Sequence, residues 1–496
     1  MKNIRNFLMI IGVFTGLVAC NDAIEIDQPG RLDADAAFQS LDDLEAGLFG
    51  AYDQFDISPD IAFQSIFTDE LSIGFDNGGQ GLADYGFVLN AGSTAPQVFW
   101  VNGYQQLNAA NRLIEASDII EPQDAAEQAR FNQILGEAYA LRAWAHFILL
   151  SYFSTDYTND GALSVINMDF VPTIDQQLLR NTNGETFALI ESDLTQAASL
   201  ISEDNGVTRI NDDFVTALRA RIAAYRQDYA TAGTLSQQLI NKYPLANRAD
   251  YQAMFLDESD GEVIFKLERT NNDTYDGQGA TGSAAAGGWA GARFAFVNAT
   301  LAGSPYFEMG RSLFNLLDPT DIRYDVMVAP TSLIDPDYAT NQDPAEDILV
   351  IQKYPGSEGQ PLMNDLKIFR ASEMYLIRAE AYVAQNNLTE AANLIKAIRD
   401  ARFGTDTAAP VFANQTDAYA ALLNERRVEL AYEGHRYFDL KRLGSRANQG
   451  VTKDPIDCAF NGACTLSADD YRFTLPLPIV EFNANPGLRE QQNPGY

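Results

Sequence analysis

Apolar positions along this chain fall mainly at helical spacing. In "ILGEAYALRAWAHFILLSYF", Leu135, Ala138, Leu141, Ala145, Leu149 and Tyr152 recur every three or four residues and so share one helix face. The stretches "FVTALRARIAAYRQDYATAGTLSQQLI" and "MYLIRAEAYVAQNNLTEAANLIKAI" carry the same period. Sliding one along the other exposes a repeat. At an offset of 159, Leu218, Arg219, Ala220, Tyr229, Ala232, Leu235 and Leu239 fall on Ile377, Arg378, Ala379, Leu388, Ala391, Leu394 and Ile398. At an offset of 77, Leu141, Arg142, Ala143 and Tyr152 fall on Leu218, Arg219, Ala220 and Tyr229.

Each unit reads as a helix, a tight turn and a second helix. Small alanines let the two helices approach, and the aromatic or leucine at the turn fills the gap, as in tetratricopeptide-like hairpins. The pattern predicts a mostly α fold with four such pairs, at about 97–153, 185–242, 369–402 and 417–443. The uneven spacing predicts a scaffold (about 97–242 and 369–443) with large insertions. Residues 54–96 and 271–365 are rich in Gly, Asn, Asp, Ser and Pro and predict a loop-rich, irregular lobe. Loops this long in a compact protein are usually functional or disordered. "GEVIFKL" and "DILVIQKY" predict short strands framing the second insertion. The tail "FTLPLPIVEFNANPGLREQQNPGY" predicts an extended, proline-punctuated segment packed back on the body.

The N-terminus follows a different pattern. Lys2 and Arg5 precede the apolar run "FLMIIGVFTGLV", the proportions of a secretory signal. A membrane-spanning helix needs roughly 20 apolar residues, so this run is too short to stay as an anchor. An ordinary signal with an incidental cysteine would look similar. However, "LVAC" resembles the lipobox of bacterial lipoproteins, with Leu17 three positions before Cys20 and Ala19 one before. The expected organisation is a signal peptide at 1–19, a tether at 20–30 lipidated on Cys20, and a body at 31–496.

Charge narrows the partners. The net charge is −34, and loss of residues 1–19 removes two cations and leaves about −36. Such a surface repels nucleic-acid phosphates and argues against a strongly anionic polysaccharide as sole ligand. The other two cysteines lie in "CAFNGAC", where the Asn461-Gly462 turn can bring Cys458 and Cys464 together. An oxidising compartment favours a local structural disulfide there, and the spacing makes a poor zinc site. Only two histidines occur. His146 falls in an apolar helix and reads as a core residue. His435 falls in "ERRVELAYEGHRYFDLKRLG", which reads as two short helices broken at Gly434. There Arg426 lies at helical spacing from Glu429 and Leu430, and Arg436 from Asp439 and Leu440, so each charge is expected to have a neighbour on its own face. No nucleophile–histidine pair, H-E-x-x-H motif or phosphate-binding glycine loop is present, and no catalytic residue, metal or cofactor is expected.

The chain resembles the SusD/RagB family of outer-membrane nutrient-uptake lipoproteins. The resemblance rests on "GEAYALRAWAHFILLSYF", "FRASEMYLIRAEAYVAQN", "NERRVELAYEGHRYFDLKRLG" and the closing "PLPIVEFNANPGLREQQNPGY", with the lipobox before them. It implies a non-catalytic, cell-surface, lipid-anchored protein. Such a protein captures oligo- or polysaccharide and caps a SusC-like TonB-dependent transporter. A laminarin-like β-glucan or an α-glucan is the implied ligand class; a peptide-capturing lid of the same fold and a surface glycoside hydrolase are the alternatives. The family's motifs are scaffold and do not locate the ligand. Trp289, isolated in the Gly/Ala/Ser-rich "GSAAAGGWAGA", is the leading candidate. A flat apolar ring with a polar edge suits a sugar face. Tyr275, Asp76, Asn77 and Tyr85, in the two insertions, could supply the remaining contacts. Trp100 and Trp144 lie at or within helices and read as core.

Overall fold

In the computed structural model, residues 38–74, 77–173, 176–202, 205–270, 290–293 and 305–496 are described. Of the sequence candidates, Cys20, Asp76, Tyr275 and Trp289 lie outside these residues. Twelve helices of eight or more residues dominate the described chain. They are α1 (Leu41–Asp53), α2 (Ser58–Phe67), α3 (Thr94–Ala116), α4 (Ala125–Phe153), α5 (Asn183–Leu200) and α6 (Asp212–Tyr225). The series continues with α7 (Tyr229–Lys242), α8 (Arg248–Phe255), α9 (Ala371–Ala384), α10 (Leu388–Phe403), α11 (Gln415–Glu429) and α12 (Arg436–Ala447). Side-chain caps set many of the starts: Asp124 accepts from Ala126 and Glu127 at α4, and Thr182 and Glu185 form a capping box at α5.

Helices α3/α4, α6/α7, α9/α10 and α11/α12 pack as neighbours, and α7 also packs on α9. The span 185–242 holds three helices rather than two, because α5 packs chiefly against α4. Alanine explains the close approach: Ala138, Ala140, Ala143, Ala217, Ala220, Ala379 and Ala391 are fully buried.

The strands are short: β1 (Leu71–Ile73), β2 (Val263–Leu267), β3 (Phe307–Met309), β4 (Gly356–Ser357), β5 (Gln360–Pro361), β6 (Leu366–Arg370), β7 (Val451–Thr452) and β8 (Thr465–Leu466). They form antiparallel pairs β1–β3, β2–β6, β4–β5 and β7–β8. "GEVIFKL" thus does hold a strand, but its partner is "LKIFR" immediately before α9. "DILVIQKY" forms no strand, since its backbone is shared among neighbours. Leu349 accepts from Met309, Val350 from Ala329 and Ile348 from Leu333, so no continuous ladder develops.

The first insertion also departs from its composition. Within it lies α2, every residue of which is buried except Pro59. Phe63 and Phe67 pack edge-on against Tyr437 of α12, which ties the N-terminal region to the C-terminal helix pair. The tail lies back on the body, where Leu475 donates to the Tyr152 carbonyl and Arg180 binds Gln491 and Asn493, but it is not extended throughout, since Ile479–Ala484 and Pro486–Gln491 are helical.

The charged motif pairs between elements. Arg426 binds Asp439 across α11 and α12 at 2.7 Å, and Arg436 reaches Asp69 at 2.8 and 2.9 Å. For Arg426 and Arg436 the expected pairing along one helix face is therefore replaced, because Gly434 at φ +77° turns the chain between α11 and α12, while Arg442 does pair with Asp439 along α12 at 2.8 Å. His146 is a core residue: its Nε2 accepts from the Met168 amide at 3.1 Å and its Nδ1 lies 3.1 Å from the Arg142 carbonyl. Burial, then Arg142, lowers its pKa to about 3. His435 is buried and lowered to about 4, first by burial.

Candidate functional site

A candidate ligand cleft lies at the β1–β3 sheet, where β1 belongs to the first insertion. Ser72 pairs with Glu308 in this two-stranded ladder, and the two residues line a cavity of about 390 Å³. The short helix Tyr338–Asn341 and the loop 454–464 supply the other walls, with Tyr338, Asp343, Asp457 and Phe460 facing the space. No lysine, arginine or histidine is among the described residues lining it.

Tyr338, Asp347, Asp457 and Glu308 are held by neighbouring residues. The Arg311 guanidinium lies 3.8 Å from the Tyr338 ring centroid and binds Asp347 at 3.1 Å. The Tyr338 hydroxyl donates to Asp454 at 3.1 Å. Asp457 accepts from the Arg311 amide at 2.8 Å, while its carbonyl accepts from the Tyr85 hydroxyl at 2.9 Å. Burial pushes Asp457 up to about 7, so near neutral pH it can both donate and accept. Glu308 accepts from the Leu349 amide at 3.2 Å. The cleft therefore combines aromatic surface with carboxyl groups, an arrangement that accepts hydroxyl donors and disfavours anions.

Two of the sequence candidates are placed differently from expectation. Tyr85 is fully buried, its ring beneath Phe460 and its hydroxyl bound to Asp457, so it supports the cleft wall instead of presenting a face. Asn77 is also buried. It donates to the Tyr306 carbonyl at 2.8 Å and accepts from Gly79 at 3.1 Å, bracing the turn after β1. Cys458 and Cys464 are disulfide-bonded. Trp100 and Trp144 are buried, at 2% and 3% exposure, as expected of core residues. Tyr338, Asp457 and Phe460 escaped the sequence reading because they come from two segments far apart in the chain, the helix Tyr338–Asn341 and the loop 454–464. An aromatic residue between two bridged cysteines was the available signal for Phe460.

A second groove, of about 490 Å³, lies beside α12 over Tyr157, Lys441 and Tyr471. Its lysine is already engaged, since Lys441 donates to the Ser151 and Ser154 carbonyls and so caps the C-terminus of α4. Among the described residues no cluster of His, Cys, Asp and Glu is placed to hold a metal ion, and no helix is long and apolar enough to cross a membrane.

Comparison with known proteins gives a consistent result. Residues 350–496 match the model of the SusD family, and residues 81–223 match a model described as starch-binding associating with outer membrane. SusD-like protein P38 of Formosa agariphila is 24% identical over 92% of this chain and 96% of its own length. A SusD superfamily protein of Bacteroides thetaiotaomicron superposes with a TM-score of 0.74 at 23% identity, covering 92% of this chain and all of that one. A structure described as a laminarin-binding SusD-like protein superposes with a TM-score of 0.66 at 20% identity, over 92% and 99% of the two chains. Both matched regions fall on the helical scaffold, and over most of its length the chain is similar to the SusD/RagB family.

Proposed function

We propose that this protein captures a neutral oligo- or polysaccharide at the cell surface and delivers it to a SusC-like TonB-dependent transporter, without catalysing its cleavage. The observation that carries the ligand class is the cleft at β1–β3: aromatic and carboxyl groups line it, with no cation among its described lining residues. A pyranose presents an apolar C–H face to an aromatic ring and hydroxyl donors to the carboxyl groups. A uronate or sulfated sugar would meet like charge in the cleft and from the chain as a whole, at −34. A laminarin-like β-glucan is the first candidate, supported by the laminarin-binding relative of the same fold. The broad faces of the helix pairs suit a large partner, and a stable complex needs more than about 1,000 Å² of buried area.

Calorimetric titration of the full-length chain with laminarihexaose, maltoheptaose, an alginate oligomer and a mixed peptide pool tests the ligand class. Binding of either neutral oligosaccharide and not the oligouronate is the expected result. Preference for the oligouronate, or for a mixed peptide pool over all three sugars, would overturn it.

A further inference from the structure

The loop between β7 and β8 is fixed at three places. At its base, Val451 pairs with Leu466 and Thr452 with Thr465. At its tip, Cys458 and Cys464 are joined, and the Gly462 amide donates to the Cys458 carbonyl at 2.8 Å. Gly462, at φ +70°, makes the turn that closes this small ring. On the cleft side, Asp457 is pinned by Tyr85 and by the Arg311 amide. Between these fixed points the loop displays a phenylalanine, not a polar residue. Phe460 is 57% exposed and lines the cleft. Its ring lies nearly parallel to that of Tyr85, at 17° with centroids 5.9 Å apart. Tyr85 cannot yield beneath it, because it is fully buried and Lys453 sits 3.4 Å from its ring centroid. A large apolar ring is thus held flat, backed on one side and open beside a row of carboxyl groups.

Resting on the neutral-glycan reading above, we propose that Phe460 is the sugar-stacking platform of the cleft and that the Cys458–Cys464 bridge is its positioning element. The ring takes the C–H face of one pyranose, and Asp457 and Glu308 receive hydroxyls from the same or the adjoining sugar. The bridge contributes by keeping residues 459–463 in one conformation, so that the platform is preformed when ligand arrives.

The test is titration of laminarihexaose and maltoheptaose into full-length wild-type protein, Phe460→Ala, Phe460→Trp, a Cys458→Ser/Cys464→Ser double variant, and the triple variant combining Phe460→Ala with both serines. For whichever sugar binds wild type, Phe460→Ala should raise Kd tenfold or more without lowering Tm, and Phe460→Trp should keep the affinity. The double serine variant should lose affinity as well, and the triple variant should be no weaker than Phe460→Ala alone, since both changes act through one ring. Wild-type binding with Phe460→Ala unchanged overturns the platform and leaves the glycan reading standing. Additive losses in the triple variant overturn the positioning role. Binding of neither sugar by wild type overturns the glycan reading and the platform with it.

Discussion

Arg402 grips both carboxylate oxygens of Glu262, at 2.8 and 2.9 Å, and neither side chain is exposed to solvent. The pair joins α10 to the residue just before β2, 140 positions away in the chain. Glu429 of α11 shares Arg402, and Arg370 binds Glu262, Glu429 and Glu433. Every charge here has a partner, which is the condition under which buried ions are tolerated. Removing Arg402 takes one of two arginines from Glu262 and leaves the buried cluster short of a positive charge. Arg402→Met should therefore destabilise the protein by about 3–5 kcal/mol, read as a lower urea midpoint. A loss below about 1 kcal/mol would be the cost of a surface pair and would contradict this account.

Two buried carboxyl groups, Asp60 in the first turn of α2 and Glu70 just past its end, set a pH dependence of opposite sign to that network. Burial pushes Asp60 up to about 7, against the hydrogen bond from Tyr152, and pushes Glu70 up to about 7, against that from Ser65. Their unfolded values lie near 4. Such groups contribute stability that is complete below pH about 4 and is lost as pH rises through about 7. Asp69 works the other way. Burial raises it, but Arg427 and Arg436 outweigh burial and hold it at about 2, so its contribution is present above pH about 4 and lost as pH falls toward 2. Urea midpoints measured from pH 5 to 8 should fall with rising pH in wild type and fall less steeply in Asp60→Asn. Parallel slopes for the two proteins would remove Asp60 as a cause.

The helical pairs were legible because their information is local. Leu141, Leu218 and Ile377 recur at equivalent places with alanines beside them, and all three are buried in the core. The charged motif was legible as a helix pair but not in its partners. Arg436 finds Asp69, 367 residues away, and no spacing within the motif encodes that contact. The composition of 54–96 hid α2, whose ten residues lie in a segment otherwise rich in turn formers. The cleft was least legible of all. Ser72, Glu308, Tyr338 and Asp457 meet only after the β1–β3 ladder and the disulfide loop are built, and chemically they are ordinary residues until then.

Lipidation at Cys20 is open to a direct test. Each buried methylene contributes about 0.8 kcal/mol, and one acyl chain is marginal while two or more anchor stably. Cys20→Ala should move the protein from the membrane fraction to the soluble fraction. Equal pelleting of mutant and wild type would exclude this cysteine as the anchor. From wild-type membranes, mild-detergent purification should also recover a β-barrel partner of larger mass, and recovery only as a free monomer would count against the transporter lid.

Trp289 and Tyr85, both candidates for the ligand site from sequence, should now separate experimentally. Tyr85 is buried, backs Phe460 and holds the Asp457 carbonyl. Truncating such a residue leaves a cavity and an unmet acceptor, and aromatic-to-alanine changes in cores cost about 3–5 kcal/mol. Tyr85→Ala should therefore lower Tm markedly, with weaker sugar binding following from the disturbed wall. Trp289 sits in a run of Gly, Ala and Ser, whose small side chains offer a large ring little local cover. If it contributes a second stacking surface, Trp289→Ala should weaken binding of a neutral oligosaccharide tenfold or more, about 1.4 kcal/mol, with Tm nearly unchanged. Calorimetry and thermal melts on the two variants, side by side, decide the matter. A large drop in Tm for Trp289→Ala would place that tryptophan in the core with Trp100 and Trp144, and unchanged affinity would remove it from the site.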